Sequence, residues 1–124
     1  MLVLAHASCS TGSCHGVWAD PLTGDLYVVG DRTSEPTRGE LAVTTVRVSL
    51  PIYAEATAVL RTASAAGRPG DELPAEVRAD AAYVTGHPVM TTPASIQVAA
   101  HEAAIIVRRL APGQLEALHA VGHD

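Results

Sequence analysis

Two β-prone runs, Val17-Trp18-Ala19 and Asp25 to Gly30, flank the segment Asp20-Pro21-Leu22-Thr23-Gly24. Short apolar runs on either side of a Pro/Gly turn predict a hairpin. Asp20 and Asp25 lie at this turn, but without the ligand spacing of a calcium-binding loop, so a plain turn is expected. Residues 1–16 read as an irregular lead or a short strand followed by a Ser/Gly/Cys loop. Residues 31–40 are polar and read as an exposed loop. From Leu41 to Leu50 the chain is β-branched, and Val46 and Val48 alternate with Thr45 and Arg47. That period of two predicts a half-buried third strand.

The period then lengthens. Ser49 and Pro51 mark a helix start, and Ile52, Ala56, Val59, Leu60 and Ala63 recur at helical spacing until Gly67-Arg68-Pro69-Gly70. A second, short helix is expected from Leu73 to Ala82, its charges Glu76, Arg78 and Asp80 in water, ending at Gly86-His87-Pro88. Ile96, Ala99, Ala100, Ala103, Val107 and Leu110 fit one helical stripe, which predicts a helix over 94–109. Ile105-Ile106-Val107 is also a strand former. A faint echo between Val46–Ala56 and Ile106–Ala117 would place a strand there instead. After Pro112-Gly113, Gln114 to Val121 reads as a last short helix. The expected fold is α+β: a small antiparallel β-sheet, hairpin plus third strand, packed against Ala-rich helices. A single domain over 1–124 would comprise an irregular Cys/His lead (1–16), a β-rich part (17–50) and a mostly helical part (51–124).

Composition changes this picture in two ways. The chain of 124 residues has no Phe, and its aromatics are Trp18, Tyr27, Tyr53 and Tyr83. Aliphatic side chains and Ala must therefore fill the core, with Trp18 the expected anchor of its hairpin. A thin Ala-rich core favours help from a partner subunit, so a homodimer is expected. Lys and Asn are also absent, which points to a GC-rich genome and excludes Schiff-base, P-loop-lysine and Ser-Lys chemistry. The net charge of −5, with Arg108-Arg109 the one adjacent basic pair, argues against direct nucleic-acid binding and against a basic membrane-surface helix. The apolar start lacks a positive n-region, and no apolar run approaches a membrane span, so a cytoplasmic protein with reduced cysteines is expected.

The one local concentration of reactive side chains is His6, Cys9, Cys14 and His15. Thiolate and imidazole are the preferred ligands of zinc, which takes four in a tetrahedron. Adjacent Cys14 and His15 seldom both reach one ion, so the better zinc set is Cys9 and Cys14 with His119 and His123, which stand i, i+4. His6 and His15 are the alternatives. Reduced thiols packed in a loop, or a disulfide across four residues, remain open beside it. Cys14 with His15 as base, or His101 in a pocket, could serve a small enzyme, though no feature selects one. His101-Glu102 matches the start of a zincin helix but lacks the second His. On the helical reading His101 shares a polar face with Gln97 and Arg108, and Glu102 lies on a solvated side with Arg109. Gly-x-Ser-x-Gly, Walker and Gly-x-Gly-x-x-Gly motifs are absent.

Cys14-His-Gly-Val-Trp-Ala-Asp followed by Gly24-Asp-Leu-Tyr-Val-Val-Gly-Asp-Arg resembles the Cys-then-hairpin pattern of small actinobacterial BldB-like and WhiJ-associated regulatory proteins. The resemblance covers residues 9–56, and the GC-rich composition agrees with it. It implies a small, self-associating regulatory partner that acts with a helix-turn-helix protein and is not an enzyme. Three functions follow as expectations: a non-enzymatic regulatory or interaction module; a metal-binding or thiol-redox module centred on Cys9 and Cys14; and a small enzyme using Cys14 or His101.

Overall fold

The computed structural model describes residues 2–6, 15–33, 44–63, 75–78, 81–89, 96, 98, 101–110 and 116. Seven strands and one helix occur among them, in the order β1 (Leu2–His6), β2 (Gly16–Ala19), β3 (Asp25–Arg32), β4 (Thr44–Ser49), α1 (Leu50–Ala63), β5 (Ala75–Arg78), β6 (Ala81–Pro88) and β7 (Glu102–Arg109). Every strand pairing is antiparallel. The expectation of a three-stranded sheet covered by Ala-rich helices is therefore wrong: the fold is a predominantly β structure with a single described helix.

The first half forms largely as its pattern predicts, except that Asp31 and Arg32, expected in the exposed loop over 31–40, continue β3 and pair with β4, and Asp31 is half-buried. β2 and β3 make the hairpin, with Val17 opposite Val28 and Trp18 opposite Tyr27. In the turn the Gly24 N–H donates to the Asp20 carbonyl at 2.8 Å, and the Leu22 N–H donates to Asp20 Oδ1 at 2.8 Å. β4 and α1 follow where alternation gives way to helical spacing. The lead contains a strand: β1 pairs with β2, His6 opposite Gly16.

The second half corrects the helical reading. Where a helix over 73–82 was expected, β5 and the start of β6 lie, and Gly86-His87-Pro88 continues β6. Where a helix over 94–109 was expected, β7 runs from Glu102 to Arg109. The echo with Val46–Ala56 pointed to this strand. The physical reason is two-sided pairing. β7 has β3 along one edge and β6 on the other, and β6 lies between β4 and the pair β5 and β7. Ala81-Ala82-Tyr83-Val84 and Ala103 to Val107 are short apolar runs without clear alternation, which periodicity cannot separate from a helix. The last helix, expected over 114–121, lies outside the described residues apart from Glu116.

The pairings close on themselves. β3 pairs with β7, β7 with β6, β6 with β4, and β4 with β3. The closing contacts are short: Asp31 and Arg32 against Arg47 and Val46, and His87 and Pro88 against Ile106 and Ile105. A glycine sits beside each. A Cβ on Gly30 would lie 2.6 Å from the Arg47 carbonyl oxygen, and one on Gly86 2.6 Å from that of Ile106. The missing side chains let neighbouring strands approach where the sheet curls.

Two apolar clusters result. α1 lays Ile52, Ala56 and Leu60 against Val17, Leu26, Val28, Val46, Val48, Val84 and Ile105. On the opposite surface Trp18, Tyr27, Val29, Ile96 and Ala104 pack together, so Trp18 is the hairpin's anchor, as expected. The row Tyr27/Ile106, Val29/Ala104 continues in register to Asp31/Glu102. That apolar row therefore ends in two carboxylates. No described helix is long and apolar enough to cross a membrane.

Candidate functional site

His15 immediately precedes β2, Asp31 lies near the end of β3, and Glu102 opens β7. The β3–β7 register sets Asp31 directly opposite Glu102. His15, the residue ahead of β2, lies beside this pair. Its Nε2 lies 3.0 Å from Asp31 Oδ1 and 3.4 Å from Glu102 Oε2. On the other side of the ring, Nδ1 accepts the Ser49 N–H at 3.3 Å, where β4 passes into α1. An accepting Nδ1 carries the lone pair, so the neutral ring has its proton on Nε2, facing the carboxylates.

Burial is uneven. Glu102 is 0% exposed and His15 7%, whereas Asp31 is half-buried. His15 Nε2 is buried and makes no hydrogen bond, although Asp31 Oδ1 lies 3.0 Å away. Around the rim, the Arg47 guanidinium holds Asp31 Oδ2 at 3.2 Å, and His101 Nε2 lies 3.5 Å from Asp31 Oδ1. Burial pushes the Asp31 carboxyl up, but His15 and Arg47 more than offset this and hold it below its ordinary value.

One ligand atom each from His15, Asp31 and Glu102 falls within 4.8 Å of the others. One imidazole and two carboxylates can hold a divalent cation or pass a proton among themselves. Of the residues singled out in the sequence, His15 and His101 join this site. Cys9, Cys14, His119 and His123 lie outside the described residues, and His6 is placed only as a backbone position in β1. Two readings are corrected. His101 does not lie on a helix face with Gln97 and Arg108; it precedes β7, and its carbonyl accepts the Arg32 N–H at 3.0 Å. Glu102 is not on a solvated side with Arg109: it is buried, while Arg109 reaches Asp25 at 3.3 Å.

Sequence reasoning missed Asp31 and Glu102 as site residues. A signal existed for Glu102, because a strand reading places it in phase with Ala104 and Ile106, on a face that is otherwise apolar. Asp31 falls in the same phase beyond Tyr27 and Val29. No family model matches the chain, and neither a curated protein nor a solved structure matches it.

Proposed function

We propose that the protein is a non-enzymatic interaction module that pairs with a second copy of itself along β5. Among the described residues β5 pairs only with β6 and stands at the end of the sheet order. It is short and open to solvent, and Val77 is 56% exposed. An open strand edge is a template for another strand, and charged side chains decide which strand it accepts.

The carrying observation is the order Ala75-Glu76-Val77-Arg78. An antiparallel pairing of two copies centred on Val77 sets Glu76 opposite Arg78 of the partner subunit, and Arg78 opposite the partner's Glu76. Val77 then meets its own copy. Such self-complementarity is what a two-fold interface requires. In the single chain Glu76 and Arg78 hold each other at 3.2 Å, and the Arg78 guanidinium lies 4.2 Å from the Tyr83 ring centre. The charges are therefore already aligned on one face of the edge. The resemblance to BldB-like and WhiJ-associated proteins supports a regulatory setting, in which the pair works beside a helix-turn-helix protein.

Sedimentation of the full chain tests this reading. A dimer is expected, with Glu76→Arg shifting it to monomer and Glu76→Arg combined with Arg78→Glu restoring it. A monomer at every concentration, or a dimer indifferent to Glu76→Arg and Val77→Pro, overturns it.

A further inference from the structure

Like charges directly opposite each other in an antiparallel ladder repel. Asp31 and Glu102 stand in that position, and Glu102 has no exposure to water. A buried carboxylate requires a cation or hydrogen-bond donors beside it. Arg47 serves Asp31 through Oδ2 and leaves Oδ1 facing His15. Close to both carboxylates stands the His15 imidazole, whose Nε2 is buried, makes no hydrogen bond, and lies 3.0 Å from Asp31 Oδ1 and 3.4 Å from Glu102 Oε2.

The spacings decide what fits. Two ligand atoms at about 2.1 Å from one ion stand roughly 3.0–3.4 Å apart in octahedral or tetrahedral geometry. Nε2 is 3.0 Å from Asp31 Oδ1 and 3.4 Å from Glu102 Oε2. We propose that His15 Nε2, Asp31 Oδ1 and Glu102 Oε2 are ligands of a first-row divalent cation. One imidazole favours such an ion over calcium or magnesium, and the absence of thiolate from this set separates it from a zinc site on Cys9 and Cys14. His101, 55% exposed on its side chain and close to Asp31 Oδ1, stands where a further ligand or a metal-bound water meets solvent.

Loading has a visible consequence. The ion takes the Nε2 lone pair, so the ring proton moves from Nε2 to Nδ1. Nδ1 then stops accepting the Ser49 N–H, which loses its 3.3 Å bond. Protons compete with the ion for all three ligands, so affinity falls as pH is lowered.

Titration of the full chain with Co2+ and Zn2+ tests the site, repeated on the Cys9→Ser/Cys14→Ser variant to remove thiolates. The cysteine-free variant is expected to bind about one equivalent of Co2+, with visible bands of nitrogen and oxygen ligation. His15→Gln and Glu102→Gln are expected to lower affinity at least about tenfold. Faster hydrogen exchange at the Ser49 amide should accompany loading. If Glu102→Gln does not fold, Asp31→Asn, at a half-buried position, takes its place. Absence of Co2+ binding by the cysteine-free variant, or wild-type affinity in His15→Gln, overturns the proposal. Neither result bears on pairing along β5.

Discussion

The β3–β7 pair carries two regions of opposite chemistry. Beneath α1, Val28 stands directly opposite Ile105 in a largely aliphatic cluster with Ile52, Ala56 and Leu60. At the far end of the opposite surface, Asp31 and Glu102 meet His15, with Arg47 and His101 around them. The same two strands build both. The first region is held by burial, which is non-directional and scales with area. The second depends on particular atoms from β4, β7 and the residue ahead of β2 reaching the end of β3. The aliphatic cluster therefore sets most of the stability, while the polar end ties separate segments together where the ring of strands closes.

The largest expected effect lies in the aliphatic region. Leu26→Ala should cost about 2–5 kcal/mol, the range for a fully buried leucine, and the loss should be the same at neutral and mildly acidic pH. Urea unfolding of the variant and the wild type at several pH values measures it. A loss below that range would mean that the cluster collapses around the gap, and the contrast with the polar end would weaken.

A smaller loss, about 1–3 kcal/mol, is expected for His15→Ala, which leaves the Ser49 N–H without its acceptor and the two carboxylates facing each other. The same unfolding measurement checks it. A neutral result would show that the other partners of the two carboxylates compensate for the lost imidazole.

The smallest effect is the most specific in its pH dependence. Asp31 has its folded pKa below the unfolded value of about 3.9. Its contribution is complete above that unfolded value and is lost as pH falls through the lower folded one. The stability gap between wild type and Asp31→Asn should hold steady above about pH 5 and shrink on acidification below about pH 4. Urea midpoints across that window show it. A gap unchanged with pH would mean that His15 and Arg47 do not hold the carboxyl down.

Much of residues 17–63 was legible in the chain. A Pro/Gly turn between apolar runs, alternation through Val46 and Val48, and helical spacing from Ile52 to Leu60 are each local signals, and each element formed. Residues 75–109 were not legible in that way. Ala81-Ala82-Tyr83-Val84 and Ala103 to Val107 satisfy a helix and a two-faced strand equally, and only pairing on both edges separates them. The candidate site was legible in part. His15 stood out because it sits beside cysteines, not because of the company it keeps in the fold. Asp31 and Glu102 are 71 residues apart in the chain, and local spacing cannot announce their meeting.

The sequence by itself determined the hairpin, the third strand, the helix and an aliphatic core almost free of aromatics. Tertiary structure alone decided that Glu102–Arg109 is a strand, that β3 and β7 lie side by side, and that their register sets one carboxylate against another. The physical reason is the range of the forces involved. Turn chemistry and periodicity act over a few neighbouring residues, whereas register and the burial of Glu102 beside His15 depend on pairing across the whole chain.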